Sequence, residues 1–172
     1  PFTAEDGDGL YAYLSDPEVV RFEPYRPLTL DQARQEAVRR AEDDCFTAVC
    51  LRDGTLIGNL YAADRDMDTY EIGYVFARTA WHQGYATEAA RALLSHLFTD
   101  GAAHRVMAEC DPNNPASWRL MERLGMRREA HRRQCVYFFR DDAGQPIWHD
   151  GLEYAILAEE RAEGAGKSSA DC

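Results

Sequence analysis

The sequence predicts a single domain of the α/β class. A chain of 172 residues suits one domain that buries roughly two thirds of its unfolded surface, so stability requires neither disulfides nor a structural metal. Segments in which apolar residues recur every three to four positions alternate with segments rich in strand-forming residues. The sequence Arg-Asp-Gly-Thr at Arg52–Thr55 is a hairpin signal between two strand-like segments, which indicates antiparallel pairing.

Two helices are predicted before residue 45. Thr3 and the acidic residues that follow it are typical of a helix start, and Asp16-Pro17 should end that first short helix. Thr29 and Gln32 have the spacing of a capping box. The second helix is therefore expected to run from about Leu30 to Asp44.

Two further helices are predicted in the second half. Apolar residues recur at helical spacing over Ala86–Phe98, and Asp100-Gly101 should close this helix with a C-cap glycine. Asn114 is a good N-cap and Pro115 suits the first helical position, which predicts a fourth helix ending at Gly125. The residues expected to point inward from that helix are Trp118, Met121 and Leu124.

Strand-forming residues fill most of the remaining chain. The first three strands should form an antiparallel meander, and the last two should form a hairpin joined by Asp141–Gly144. The predicted strands are Phe46–Leu51, Leu56–Tyr61, Thr69–Phe76, Arg105–Cys110, Arg133–Phe139 and Leu152–Ala158.

The two ends of the chain differ from the predicted domain. The chain opens at Pro1 without an initiator Met, so we leave open whether a first strand precedes it. Residues 162–172 are small and polar and contain too few apolar side chains to pack, which predicts a disordered tail. The domain is therefore expected to span residues 1–161.

Charge and cysteine usage narrow the function classes. The net charge of -11 argues against binding to nucleic acid or to anionic membranes, and it favours cationic partners. The sequence has no long apolar run and no secretory signal at its start, so we expect a cytoplasmic protein. The five cysteines show no CxxC spacing, which indicates reduced thiols and no metal site.

The segment Trp81–Glu88 carries the clearest chemical signal. Gly84 permits a tight turn, and the residues after it open a helix whose first N–H groups have no partner within the helix. Such a helix start can bind an anion such as a pyrophosphate. An ordinary strand-to-helix turn explains the same residues equally well. Neither a Walker motif nor a GxGxxG motif is present, so the P-loop and Rossmann classes have no support.

Four motifs in this order resemble one known family. Glu71–Tyr74, Trp81–Ala90, Asn113–Ser117 and Leu124–Met126 are similar to motifs of the GNAT superfamily of acyl-CoA N-acyltransferases. Trp81 and the Asn-x-x-Ser sequence resemble the branch that acetylates the N-termini of ribosomal proteins. The resemblance extends from Pro1 to about Arg161. It implies a mixed, mostly antiparallel sheet with helices on both faces, and acetyl-CoA as the cosubstrate.

The resemblance also implies which residues contact acetyl-CoA. Backbone N–H groups of the glycine loop would bind the pyrophosphate, and the end of the preceding strand would lie against the pantetheine arm. A side chain at the start of the fourth helix would add a further contact. The implied cofactor residues are Gln83, Gly84, Tyr85, Ala86 and Thr87 in the loop, Val75, Phe76 and Ala77 in the strand, and Asn114.

Direct transfer to an amine calls for a base and benefits from an acid. Ser117 matches the position proposed in the ribosomal branch to protonate the departing thiolate, although it is also explained as a first-turn helix residue. Glu71 resembles the strand glutamate that some members use as base, and its alternative is a surface residue or an arginine partner. Glu109 and water remain alternatives for the base. Many members carry a tyrosine acid where this chain has Met121, which cannot donate a proton.

The acceptor side is implied only in outline. Family members frame the acceptor groove with the loop between the first two helices and with the last hairpin, and core packing is the alternative role for these residues. The resemblance therefore implies an N-acetyltransferase acting on a primary amine, first a protein N-terminus and second an aminoglycoside or polyamine. A non-catalytic CoA-binding sensor is a further alternative, and a homodimer is possible by resemblance. The candidate acceptor residues are Phe22, Glu23, Tyr25, Tyr137, Phe139, Trp148 and His149.

Overall fold

The computed structural model describes residues 1–161, so the predicted disordered tail lies outside the described residues. The helices are α1 (Gly7–Leu14), α2 (Leu30–Ala41), α3 (Tyr85–Thr99) and α4 (Pro115–Arg123), with short 3₁₀ turns at Ala4–Asp6 and Arg78–Ala80. The strands are β1 (Phe46–Cys50), β2 (Leu56–Asp64), β3 (Thr69–Phe76), β4 (Arg105–Cys110), β5 (Arg127–Arg140) and β6 (Pro146–Leu157).

The six strands form one mixed sheet in the order β1-β2-β3-β4-β6-β5. β1 and β2 are antiparallel, as are β4 with β6 and β5 with β6. β3 and β4 are parallel, with Glu71 opposite Met107, because the chain between them passes through α3. The predicted fold class, a mixed and mostly antiparallel sheet combined with helices, is confirmed.

The described chain divides into two compact units. The first unit comprises residues 1–62 and 73–90. Its core is formed where α1 and α2 bury their apolar faces, because Leu10 and Leu14 on one helix and Ala33 and Ala37 on the other are fully buried. Phe2, Tyr13 and Val20 complete this core, and side chains of β1 pack against it.

The second unit comprises residues 63–72 and 91–161 of the described chain. Its buried side chains come from α3, β4, α4 and β6, and they include Leu94, Val106, Leu120 and Tyr154. Alternate residues of β4 and β6 point to opposite faces of the sheet. One face therefore carries Val106 and its neighbours at even positions. The other face carries the charged Arg105, Glu109 and Glu153 together with Met107 and the buried Ala155.

Two predicted helix ends are wrong in detail. α2 ends at Ala41 rather than at Asp44, because the Asp43 carboxylate accepts the backbone N–H of Cys45 at 3.0 Å and so favours a turn over further helix. After α3, the left-handed residue is Ala102 with φ of 49°, and not Gly101. Gly101 is needed for space, since a Cβ there would lie 2.8 Å from the carbonyl oxygen of Leu97.

The final hairpin is longer than the sequence predicts. β5 begins at Arg127 and β6 ends at Leu157, joined through the predicted turn at Asp141–Gly144. Their pairing is irregular at three places, and Gln134 within β5 has φ of 45°. Most of β5 is exposed, so its sequence lacks the apolar alternation that identifies a half-buried strand.

Among residues 1–161, no helix has the length and apolar character needed to cross a membrane. The cysteines of the described chain, Cys45, Cys50, Cys110 and Cys135, form no disulfide.

Candidate functional site

The loop before α3 has the geometry of an anion-binding helix start. Gly84 has φ of +86°, a conformation that favours glycine, and a Cβ at this position would meet nothing within 4 Å. The first helical hydrogen bond runs from the N–H of Glu88 to the carbonyl of Gly84 at 3.0 Å. The N–H groups of Tyr85, Ala86 and Thr87 precede this bond, so they have no acceptor within the helix. Gln83 is anchored from its side chain to the carbonyl of Thr79.

The end of β3 is tied to this loop within the first unit. The indole N–H of Trp81 donates to the carbonyl oxygen of Phe76 at 2.9 Å. The N–H of Ala77 donates to the carbonyl of Ile57 at 2.8 Å, and the carbonyl of Ala77 accepts the N–H of Ala80 at 2.9 Å. The Ala77 N–H is therefore used within the fold, whereas its carbonyl oxygen can still accept a second hydrogen bond. Trp81 fixes the strand end to the loop.

The start of α4 brings two predicted site residues together in the second unit. The side-chain oxygen of Asn114 accepts the N–H of Ser117 at 3.2 Å, as expected for an N-cap. The Asn114 NH₂ group forms no hydrogen bond with any described residue and is available to a ligand. The Ser117 side chain is not used in the cap, because only its N–H bonds to Asn114.

The Ser117 hydroxyl contacts a thiol that the sequence did not indicate. Burial raises the pKa of Cys110 to about 11, and a hydrogen bond with Ser117 opposes that rise. The thiol is therefore protonated at neutral pH, so this hydrogen bond joins two neutral groups. Cys110 lies at the end of β4 on the same sheet face as α4, and it holds Ser117 at that face.

The Met121 side chain is buried and cannot contact a ligand. It is 1% exposed and packs in the core of the second unit. The position at which related enzymes carry a tyrosine acid is therefore a core position in this chain.

Both candidate bases of the second unit form ion pairs with arginine. The Arg65 guanidinium donates to the Glu71 carboxylate through Nε at 2.7 Å and Nη2 at 2.6 Å. Arg132 pairs with Glu109 and lies 3.7 Å from Glu153. The alternative interpretation of Glu71, an arginine partner, is thus present in the structure. A role as base requires Arg65 to release or share this carboxylate.

The segment before α2 holds a polar cluster in the first unit. Burial raises the pKa of Glu23 to about 7, although a hydrogen bond with Tyr25 and the charge of Arg40 both oppose the rise. Burial also raises the pKa of Tyr25 and of Tyr13, and both hydroxyls hydrogen-bond with Arg40. Tyr13 also donates to the buried amide oxygen of Asn59 at 2.9 Å. Glu23 and Tyr25, two predicted acceptor residues, therefore share one cluster.

Arg40 lies at the centre of this cluster and is 4% exposed. Its Nε donates to Glu36 at 2.7 Å, and its guanidinium carbon lies 4.4 Å from the ring centroid of Phe46. Its Nη1 has no hydrogen-bond partner among residues 1–161. The sequence contained a signal for this burial, because Arg40 shares the helical spacing of the buried Ala33 and Ala37.

The remaining predicted acceptor residues lie elsewhere. Phe22 is half-buried, with Arg21 5.3 Å above its ring. In the second unit, Tyr137 and Trp148 are 40% and 49% exposed and meet edge to face at 5.2 Å. The Asp111 carboxylate accepts a hydrogen bond from Nδ1 of His149 at 3.2 Å. The hairpin thus presents an exposed aromatic pair.

The sequence pattern of the acetyltransferase (GNAT) domain family matches residues 1–127 of this chain. The match covers well over half of the 172 residues. The chain belongs to the GNAT acetyltransferase family.

Relatives that cover nearly all of this chain support its membership of the GNAT family. The uncharacterized N-acetyltransferase YnaD of Bacillus subtilis (strain 168) is 33% identical over 92% of each chain. The crystal structure of a GNAT-family acetyltransferase from Bacillus anthracis has a TM-score of 0.82, 33% identity and coverage of 92% of each chain. The chain is therefore an acyltransferase of the N-acetyltransferase type.

Two more distant GNAT structures share the fold. A ribosomal-protein-S5-alanine acetyltransferase from Vibrio fischeri has a TM-score of 0.74 at 17% identity and covers 91% of this chain and 90% of its own. A spermidine N-acetyltransferase from Vibrio cholerae, solved with CoA and spermine, also has a TM-score of 0.74 at 17% identity and covers 92% and 93%. These likenesses show the fold alone.

The GNAT family uses acetyl-CoA, and the residues of this chain fit that group. Open space around Gly84 and the free N–H groups after it suit a pyrophosphate, and the unpaired Asn114 NH₂ group suits a polar acceptor. No group of three or more metal-ligating side chains occurs within residues 1–161.

Proposed function

We propose that this chain transfers an acetyl group from acetyl-CoA directly to a primary amine, and that the preferred amine is a protein N-terminus. Acetyl-CoA supplies the acyl group as an activated thioester. The chain supplies binding of the pyrophosphate, positioning of the acceptor, and movement of two protons.

The observation that carries this proposal is the loop Gln83–Thr87 at the start of α3. Consecutive N–H groups without helical acceptors, together with the positive end of the helix dipole, bind phosphate oxygens without a basic side chain. This suits a strongly acidic chain, in which a polyanionic cosubstrate gains nothing from the overall charge. Val75 and Phe76 would lie along the pantetheine arm, and Asn114 would donate from its free NH₂ group.

The proposed base Glu71 on β3 and the proposed acid Ser117 on α4 belong to opposite faces of the sheet. Glu71 is opposite Met107, whose side chain points to the face that also carries Glu109. Ser117 bonds to Cys110, which points to the other face. In a direct transfer the amine attacks one side of the carbonyl carbon while the thiolate departs from another. In this scheme Glu71 accepts the amine proton and Ser117 donates a proton to sulfur.

The proposed acceptor contacts are Phe22, Glu23 and Tyr25 in the first unit and Tyr137 and Trp148 in the second. Glu23 is a carboxyl group with a pKa near neutrality, so it can share the proton of an incoming ammonium group. Exposed rings such as Trp148 attract cations through their faces. A protein N-terminus is placed first because Trp81 and the Asn-x-x-Ser sequence resemble the branch that acetylates the N-termini of ribosomal proteins.

A polyamine is the second candidate acceptor. The net charge of -11 favours a small polycation, and one distant solved structure binds spermine. A peptide N-terminus carries one charge, whereas a polyamine carries several, so the two candidates differ in their dependence on salt.

The experiment mixes the protein with acetyl-CoA and a panel of amines and follows release of free thiol. The panel contains peptides with free N-termini, the same peptides with blocked N-termini, spermidine and an aminoglycoside. We expect release with free N-termini and none above hydrolysis with the blocked peptides. Turnover of spermidine alone would favour the second candidate. Tight acetyl-CoA binding by calorimetry without release for any amine would contradict the proposal and indicate a CoA-binding sensor.

A further inference from the structure

The second unit contains a cavity that the proposed function does not use. It has a volume of about 430 Å³ and lies between α4 and the β5–β6 hairpin. The proposed base Glu71 belongs to the other sheet face, so the cavity lies apart from it. Its walls include Pro112, Trp118, Glu122, Arg128, Leu152 and Tyr154.

Two opposite charges line this cavity without pairing. Glu122 on α4 and Arg128 on β5 are both exposed and form no ion pair with one another, and the Arg128 side chain forms no ion pair or hydrogen bond within residues 1–161. The Glu122 carboxylate accepts one hydrogen bond, from the Tyr154 hydroxyl at 3.2 Å. A guanidinium and a carboxylate that both line one cavity can each bind an oppositely charged group of a ligand.

The carboxylate is held in place rather than free to rotate. Tyr154 is 1% exposed, so its ring is fixed by the core of the second unit. Burial raises the pKa of Tyr154, and the neighbouring Glu122 raises it further, so the hydroxyl stays a donor to Glu122 across the physiological range. Tyr154 therefore orients one oxygen of the exposed Glu122 carboxylate, and the other oxygen is available to a ligand.

The rest of the wall is apolar or already paired. Pro112 and Leu152 offer aliphatic surface, and the half-buried Trp118 offers an indole ring. His131 also lines the cavity, but its Nε2 is paired with Asp150 at 2.9 Å. A ligand with two opposite charges and an apolar portion matches this arrangement.

We propose that this cavity binds a small zwitterion of the α-amino acid type, with its ammonium group at Glu122 and its carboxylate at Arg128. The side chain of the ligand packs against Trp118 and Leu152. A ligand with one charge would leave either Glu122 or Arg128 without a partner, so both charges are needed for full affinity. Tyr154 acts as a positioning residue for Glu122.

The test is calorimetric titration of the full chain without acetyl-CoA, using L-leucine, L-glutamine and L-phenylalanine as probes. For the amino acid that binds best, the amide retains only the ammonium group and the N-acetyl form retains only the carboxylate. We expect the parent amino acid to bind at least about tenfold more tightly than either derivative, which corresponds to about 1.4 kcal/mol.

Variants assign the two charges. Arg128→Gln should weaken binding of the amino acid about tenfold and leave the amide unchanged, because the amide has no carboxylate. Glu122→Gln should weaken the amino acid and leave the N-acetyl form unchanged. Arg123→Gln, also on the surface of α4 but outside the cavity, is the matched control and should bind as the wild type does.

Three outcomes would overturn the proposal. These are no saturable binding of any of the three amino acids, equal binding of the amino acid and its two derivatives, and loss of binding when CoA is added as a competitor. The titration contains no acetyl donor, so failure of acetyl transfer would leave this result standing. Acetyl transfer without amino acid binding would contradict only the cavity proposal.

Discussion

The Ser117 hydroxyl is the proposed catalytic group at the start of α4, and the helix cap does not use it. Ser117→Ala should lower kcat about a hundredfold, since general acid catalysis contributes roughly 10²–10⁴ in rate. The cap should survive, because it uses the N–H of Ser117 rather than its side chain. Affinity for acetyl-CoA should change little. Steady-state thiol release and calorimetry measure the two effects, and Ser117→Thr, which keeps a hydroxyl, is the control. An unchanged kcat in Ser117→Ala would show that Ser117 is not the proton donor and would leave a tyrosine elsewhere or water in that role.

Gly84 combines a left-handed backbone with open surroundings. Gly84→Ala should destabilise the fold by about 1 kcal/mol, because a Cβ is disfavoured at positive φ. It should also weaken acetyl-CoA binding, since relief of the strain moves the N–H groups of the loop.

Gly54→Ala is the matched control for that change. Gly54 has φ of +87° and equally open surroundings, but it lies in the β1–β2 turn. Chemical denaturation should show the same loss of stability in both variants. Calorimetry should show weaker binding in Gly84→Ala alone. Equal affinities would rule out the loop as the pyrophosphate site.

Glu23 makes the stability of the fold depend on pH. Its carboxyl group titrates near 7 in the folded chain and near 4.5 when unfolded. Between these values the folded chain holds the extra proton, so the free energy of unfolding falls as pH rises from about 4.5 to 7 and then levels off. Glu23→Gln removes this dependence of the free energy of unfolding on pH. Its stability relative to the wild type should increase by at most about 2 kcal/mol between pH 5 and pH 8.

Urea denaturation at these two pH values measures the change. Glu18→Gln removes a carboxylate at an exposed position of the same segment, and its stability relative to the wild type should stay constant. If Glu23→Gln also shows no relative change with pH, then Glu23 is ionised in the folded chain at pH 5.

The capping box of α2 can be tested as an element. The Thr29 side chain accepts the N–H of Gln32 at 3.3 Å, and the Gln32 side chain accepts the N–H of Thr29 at 2.9 Å. Thr29→Ala should lower the free energy of unfolding by about 1 kcal/mol. Ser95→Ala, at an exposed position within α3, should be nearly neutral. Equal effects in the two variants would mean that the box contributes nothing.

Elements with strong local signals were predictable from sequence. The start of α2 at Leu30, the bounds of β3 and β4, and the start of α4 at Pro115 all agree with the structure, because capping residues and strand-forming runs act over a few positions. The long β5 was not predictable beyond its centre. Its arginines are exposed, and Arg132 pairs with Glu109 and Glu153 on other strands. Such contacts leave no apolar period in the sequence.

The site was predictable where its residues are consecutive. The loop around Gly84 and the cap at Asn114 are local features, so the sequence showed both. The contact between Ser117 and Cys110, and the burial of Arg40 with Glu23 and Tyr25, depend on tertiary packing. A list of residue types cannot show which carboxylate is paired with an arginine and which is buried.

At the scale of the whole molecule, the net charge of -11 should speed and strengthen the encounter with cationic acceptors. The KM for spermidine should rise several-fold between about 0.05 and 0.5 M NaCl, as the Debye length shortens. The KM for a singly charged peptide should rise less, and the KM for acetyl-CoA should not rise. Steady-state kinetics at constant pH provide the measurement. A spermidine KM independent of salt would exclude electrostatic attraction.

The strand at the outer end of the sheet has a consequence for solution behaviour. β5 is 14 residues long and ends the strand order, so it offers an extended edge to other chains. Its five arginines and the three breaks in its register make that edge charged and uneven. Both features oppose the addition of a strand from another chain. They therefore disfavour edge-to-edge aggregation of the sheets at high protein concentration.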